Sequence, residues 1–342
     1  MRNIRFYLSG GGTKCSYQAN FLKTVMNSNK FNRKYRIESI YGVSFGALVG
    51  FYSVLGKHDE IIKQLSNVNS ESLIPCVSFF GLEKYIKKIP IIGSMFTYIY
   101  KIIWLIYGIF KKGLYSQINI KQALDKLETK NCSNLVKFKC LVYNVDKNSC
   151  EVIRGDHPLI KEYILAAIAC WGIFPPKKII RLKTECICTS KCMCTGKIFC
   201  NCVNDKHKFN EYIDYGIIQH IPFENCLSKR DRIKDDTIKC VLTTDDLTDL
   251  MNGNNKLETG SNLLEYYHKL LAHSLASNLS YKMKTWNNKN MHIINYKPLF
   301  EDATTTNSSD IIKMIDSGKL IAEKYIEIID NDIDDKKIVV NL

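Results

Sequence analysis

The stretch Phe6–Gln18, FYLSGGGTKCSYQ, sets three glycines directly behind a short apolar run and just ahead of a helical pattern. Backbone N–H groups in such a loop can converge on an anion, and the helix N-terminus that follows favours negative charge. The anion is either a nucleotide phosphate or an oxyanion that exists only during acyl transfer. The flanking sequence sets the frame. Ile4–Leu8 reads as a strand, and SYQANFLKTVMN places Tyr17, Phe21, Leu22 and Val25 on one helical stripe. YRIESIYGV follows as a second strand, then SFGALVGFYSVLG as a compact apolar helix ending near Gly56. Strand, glycine loop, helix, strand, sharp turn, helix is parallel α/β organisation, with sites at the carboxyl ends of the strands.

The phosphate readings fail on spacing. No Gly-Lys-Ser/Thr follows the glycines at P-loop distance. Gly10 and Gly12 fit the first two positions of G-x-G-x-x-G, but Cys15 stands in the last. The second turn, YGVSFGA at residues 41–47, is G-x-S-x-G between a strand and a helix. There Gly42 and Gly46 allow a sharp turn that leaves the Ser44 hydroxyl exposed at a helix mouth. An ordinary helix N-cap serine is the competing reading of the same residue. A nucleophilic serine needs a base, and none of the seven histidines sits in a persuasive strand-end loop; His157 precedes a proline and His220 lies in an apolar run. In YIDYGIIQHIPF, residues 212–223, Asp214 follows a short strand and Gly216 opens a turn. By itself that triplet reads as a plain turn.

Taken in order, these pieces resemble the patatin-like phospholipase family over most of the chain. SGGGTKCSYQANFLKTV is similar to that family's oxyanion loop, with Lys14 at its basic position, and GVSFGAL to its nucleophile elbow. AAIACWGIFPP (166–176) is similar to its Ala-rich helix ending in Phe-Pro-Pro, and YIDYGIIQHIP to its Asp loop. The resemblance implies a three-layer α/β fold with a mostly parallel central sheet flanked by helices, occupying residues 1–330 as one domain. It implies a Ser44–Asp214 dyad, with Gly10, Gly11, Gly12, Thr13 and Lys14 around the oxyanion, Gly42 and Gly46 in the elbow, and Tyr215 and Gly216 in the Asp loop. The implied activity is hydrolysis of phospholipid or lysophospholipid esters, with no cofactor and no Ca²⁺. The alternative is a weak or inactive family member that binds membranes. Cys15, Asn20 and Tyr215 stand where the family carries glycine, and Tyr215 requires a backbone that avoids positive φ.

Two segments interrupt the pattern. Residues 89–110, IPIIGSMFTYIYKIIWLIYGIF, carry one charge, Lys101, within an apolar insert at 79–112 with lysines on both flanks. A single membrane span there would put Ser44 and Asp214 on opposite sides of a bilayer. That leaves a buried helix pair or lid, or an interfacial element with Trp104, Tyr98, Tyr100 and Tyr107 at headgroup level. The second segment, within 183–207, carries Cys186, Cys188, Cys192, Cys194, Cys200 and Cys202 as three C-x-C pairs. Their spacing suits a structural Zn²⁺ site, with disulfides or free thiols as the alternatives. The net charge of +14 suits an anionic membrane surface, and a nucleic acid is not the expected partner. The first strand begins almost at Met1, leaving no room for a secretory signal; a cytoplasmic, membrane-associating protein with reduced thiols is expected. Residues 331–342 read as a charged, frayed tail.

Overall fold

The computed structural model describes residues 1–68, 74–75, 115–129, 132–170, 173–180, 209–218, 237–244, 290–296, 307–331 and 338–341. The apolar insert and the six-cysteine run therefore lie outside the described residues, together with the expectations attached to them.

The chain opens with β1 (Arg2–Leu8), a short 3-10 turn (Gly12–Cys15) and α1 (Ser16–Met26). It continues through α2 (Asn29–Lys34), β2 (Tyr35–Val43), α3 (Phe45–Val54) and α4 (His58–Ser66). A two-residue pair, β3 (Ile74–Pro75) and β4 (Tyr115–Ser116), precedes α5 (Ile118–Asp125). The hairpin β5 (Phe138–Asn144) and β6 (Ser149–Arg154) leads into α6 (Ile160–Ala167). Then come β7 (Lys177–Ile180), β8 (Phe209–Asp214), β9 (Ile238–Leu242), β10 (Met291–Asn295), α7 (Ser308–Asp330) and β11 (Ile338–Asn341).

These strands build a mixed α/β fold around a mostly parallel sheet, in the order β11-β10-β9-β1-β2-β5-β8-β7, with β6 also on β5. The strands from β11 to β5 all run parallel, and β6, β7 and β8 pair antiparallel. The central strands β9 and β10 are buried along their whole length, as expected where both faces of a parallel sheet are covered. Ile4, Phe6 and Leu8 of β1 join the larger core beneath the helices. Tyr7, on the opposite face, stacks on Tyr41 at 4.9 Å in a second, smaller core.

The register of β5 positions the site. Its full length pairs with β6 along one edge, Lys139 to Asn144 against Arg154 to Ser149. The other edge is divided end to end: β2 pairs up to Val43 opposite Leu141, and β8 begins with Asp214 opposite Val142. Because β8 runs against β2, their carboxyl ends meet head-on. The residue after Val43 is Ser44.

Helix α7 holds α1 against the sheet. Its apolar residues Ile311, Met314, Ile315, Ile321, Ala322, Tyr325 and Ile329 recur at helical spacing and are buried. The Asn307 side chain caps it by accepting from the Ser309 N–H at 3.2 Å. Asn20 occupies a family glycine position and uses its side chain here, donating to the Ile315 carbonyl at 3.0 Å. The helices touch at Gly318, where a Cβ would fall 2.1 Å from the Tyr17 carbonyl oxygen.

Two expectations require correction. The tail is not frayed throughout: Ile338–Asn341 form β11, a parallel edge strand on β10, because Ile338 and Val340 have a core face to bury. The Ala-rich helix ends at Ala167 rather than continuing through Cys170. Past that point the Ala169 carbonyl accepts from the Asp214 N–H at 3.1 Å instead of continuing a helical ladder. No helix among the described residues is long and apolar enough to cross a membrane.

Replacing Gly318 with alanine forces α7 off Tyr17. The expected loss is about 1–3 kcal/mol of unfolding free energy, the usual scale for overpacking a tight contact, read by urea denaturation.

Candidate active site

Ser44 sits between the end of β2 and the start of α3 with φ 52° and ψ −134°, a conformation that costs a non-glycine residue about 1–3 kcal/mol. Its side chain makes no capping hydrogen bond to α3, so the ordinary N-cap reading does not describe it. Close packing holds the turn. A Cβ on Gly42 would lie 2.4 Å from Ala47 Cα, and one on Gly46 would lie 2.5 Å from the Ser9 carbonyl oxygen. Gly46 thereby lets the glycine loop lie directly against the start of α3.

The Ser44 side chain instead lies beside Asp214, the last residue of β8, close enough to pull its carboxyl down. Asp214 is buried, and the Gly216 N–H donates to its Oδ1 at 2.7 Å. Gly216 must be small for this closure, since a Cβ would stand 2.9 Å from that oxygen and 3.5 Å from Ser44 Cβ. Burial raises the Asp214 carboxyl to about 7, and Ser44 and the Gly216 N–H pull in the opposite direction. Tyr215 takes part in a 3-10 turn without positive φ and buries its ring in the smaller core with Tyr7 and Val43. The missing glycine is thus accommodated without strain.

The glycine loop follows β1, the neighbour of β2. Gly11 has φ 140° and Gly12 φ 58°, values in the region that favours glycine. The loop's carbonyls are tied down on one side. Ser9 O accepts from Gln18 Nε2 at 3.3 Å and from Cys15 Sγ at 3.4 Å. Gly10 O accepts from Thr244 Oγ1, and Gly11 O from the Lys14 N–H at 3.2 Å. Cys15, another departure from the family pattern, is therefore a buried donor to the loop's backbone.

The structure thus brings together Ser44, Asp214, Gly216 and the elbow glycines, and sets the loop of Gly10 to Lys14 on the adjacent strand end. The described histidines are engaged elsewhere. His157 accepts from the Leu159 N–H at 3.0 Å, His292 bonds Tyr325 at 2.7 Å, and His58 is buried on α4. Sequence reasoning missed Thr244 and Gln18, because a threonine after a strand and a polar helix residue carry no signal of their distant partners. It also missed Cys170, whose thiol is close enough to feel Asp214. Burial pushes that thiol up to about 12, so it stays protonated at neutral pH. The six cysteines expected as metal ligands lie outside the described residues. Among the described residues no group of three or more metal-ligating side chains gathers.

Residues 6–227 match the family model for patatin-like phospholipase, well over half of the chain. The chain belongs to the patatin-like phospholipase family, lipid acyl hydrolases that in general need no cofactor. No curated protein matches it. Among solved structures, VipD from Legionella pneumophila aligns over 96% of this chain and 67% of its own, with 15% identity and a TM-score of 0.44.

Asp214 titrates near 3.8 in an unfolded chain and near 7 in the fold, so the folded protein holds the extra proton between those values. The corresponding stability is full below the lower value and is lost as pH rises through the upper one. Asp214→Asn removes the charge that burial disfavours. The variant is expected to melt several degrees above the parent at pH 8, on the order of 4 kcal/mol at most, with the gap narrowed by more than half at pH 5 and closed near pH 4. Scanning calorimetry at both pH values checks it.

Proposed function

We propose that the protein hydrolyses carboxylic esters of membrane phospholipids or lysophospholipids, with Ser44 as nucleophile, Asp214 as general base and the glycine loop as oxyanion hole. One observation carries this reading: a serine held at positive φ, not capping its own helix, set beside a buried carboxylate poised near neutrality.

Ionised Asp214 takes the Ser44 proton as Oγ forms its bond to the ester carbonyl carbon. The carbonyl oxygen gains the negative charge and is held by the N–H groups of Gly11 and Gly12, with Thr13 and Lys14 beside them. As the tetrahedral species collapses, Asp214 returns the proton to the leaving alcohol, and an acyl-serine remains. Water then attacks with the same base, releasing a fatty acid and restoring Ser44. A positioned base contributes about 10²–10⁴-fold and one oxyanion donor about 10²–10³-fold. Each step uses groups of this chain alone, so the reaction is read as independent of Ca²⁺.

A substrate of this kind lies in a bilayer. The apolar run 89–110, the lysines flanking it and the net charge of +14 support contact with an anionic surface.

Ser44→Ala is expected to abolish hydrolysis of a chromogenic ester while leaving the melting temperature near that of the parent. Because the base must be ionised, kcat/KM should fall about tenfold per pH unit below an apparent pKa near 7 and reach a plateau above it. A stopped assay between pH 5 and 9 reads this, and full activity at pH 5 would exclude Asp214 as base. The purified protein should also float with vesicles containing anionic lipid and release as salt is raised. Absence of flotation at low salt would refute the membrane reading.

A further inference from the structure

We infer that Thr244, which lies 234 positions beyond Gly10, is a positioning residue that sets the orientation of the Gly10–Gly11 peptide, so that the Gly11 N–H faces the acyl site. The inference rests on the proposed acyl-transfer function and adds what aims its oxyanion donors.

The physical problem is specific to consecutive glycines. Gly10, Gly11 and Gly12 have no side chains to prefer one peptide orientation, so turning the unit over is cheap. In a trans peptide the C=O and the following N–H point in opposite directions, and the described residues contain no cis bond. Whatever captures the Gly10 carbonyl therefore decides where the Gly11 N–H points. Thr244 captures it from the carboxyl end of β9, the strand beside β1.

The bond is directional in one sense only. Gln18 Nε2 donates to Ser9 Oγ at 3.4 Å, Ser9 Oγ donates to Thr244 Oγ1 at 3.2 Å, and Thr244 Oγ1 donates to Gly10 O. The Ser9 proton occupies the Thr244 acceptor site, so the one Thr244 proton is committed to the carbonyl. All three side chains are buried, where such chains of bonds reinforce one another. Thr244 also wedges the loop sterically: a Cβ on Gly11 would meet its Oγ1 at 2.5 Å and its own Cβ at 2.8 Å. A flipped peptide would turn the N–H toward the hydroxyl and leave the carbonyl in the place of the donor. The oxyanion would then meet a carbonyl dipole of the wrong sign.

The test compares Thr244→Val, which keeps the wedge and removes the relay, with Thr244→Ser, which keeps the hydroxyl. Active sites are first counted by stoichiometric labelling of Ser44 with a fluorophosphonate, so that misfolded protein does not enter the rate. Per labelled site, Thr244→Val should lower kcat about 10- to 100-fold with KM within about twofold, and Thr244→Ser should retain most of the activity. The apparent pKa near 7 should be unchanged in both, because the dyad is untouched. The inference is overturned if per-site kcat in Thr244→Val equals that of the parent, or if Thr244→Ser loses as much as Thr244→Val. A parent protein without Ser44-dependent hydrolysis would overturn the acyl-transfer function itself, and this inference with it.

Discussion

The divided edge of β5 is the constraint on which the site depends. One edge of that strand is filled by β6, so β2 and the antiparallel β8 share the other and must end where they meet. Val43 opposite Leu141 and Asp214 opposite Val142 place the two chain ends on neighbouring rungs of a single ladder. The approach of a serine and a carboxylate some 170 residues apart in sequence is then a matter of sheet register, which is stiff, rather than of loop conformation, which is not. The same geometry puts the glycine loop at the end of β1 and Thr244 at the end of β9, the next strands in order.

Two features at this junction work against stability. Ser44 occupies a backbone region unfavourable for its Cβ, and Asp214 would be easier to bury neutral. Both persist because the surroundings leave no alternative: the elbow is packed at Gly42 and Gly46, and the carboxylate is held by the Gly216 N–H and backed by the Ala169 carbonyl on its own N–H. The parallel core and the α1–α7 contact supply the rigidity. Destabilised groups concentrated at one point of an otherwise consistent fold are the pattern expected of a functional site.

Much of this was legible in the chain. The alternation of strand, glycine loop, helix and strand and the G-x-S-x-G elbow are local patterns, written in spacing and residue type. The errors arose where tertiary partners override local preference. A charged tail hides a strand because Ile338 and Val340 find a sheet edge already built by β10. The Ala-rich helix stops early because a carbonyl near its end is spent on Asp214. Tyr215 and Cys15, which looked like defects against a glycine pattern, are a core ring and a hydrogen-bond donor to the loop.

The sequence by itself determined the class of fold and the family and singled out Ser44 and Asp214 as candidates, because turns and caps demand particular residue types at fixed short spacings. Tertiary structure decided the rest: that Ser44 lies beside the carboxylate rather than capping its own helix, that burial brings Asp214 toward neutrality, and that Gln18, Ser9 and Thr244 join in a relay ending on Gly10. Each of these depends on contacts across strands far apart in the chain. Desolvation and peptide orientation are properties of such enclosures, and no local pattern encodes them.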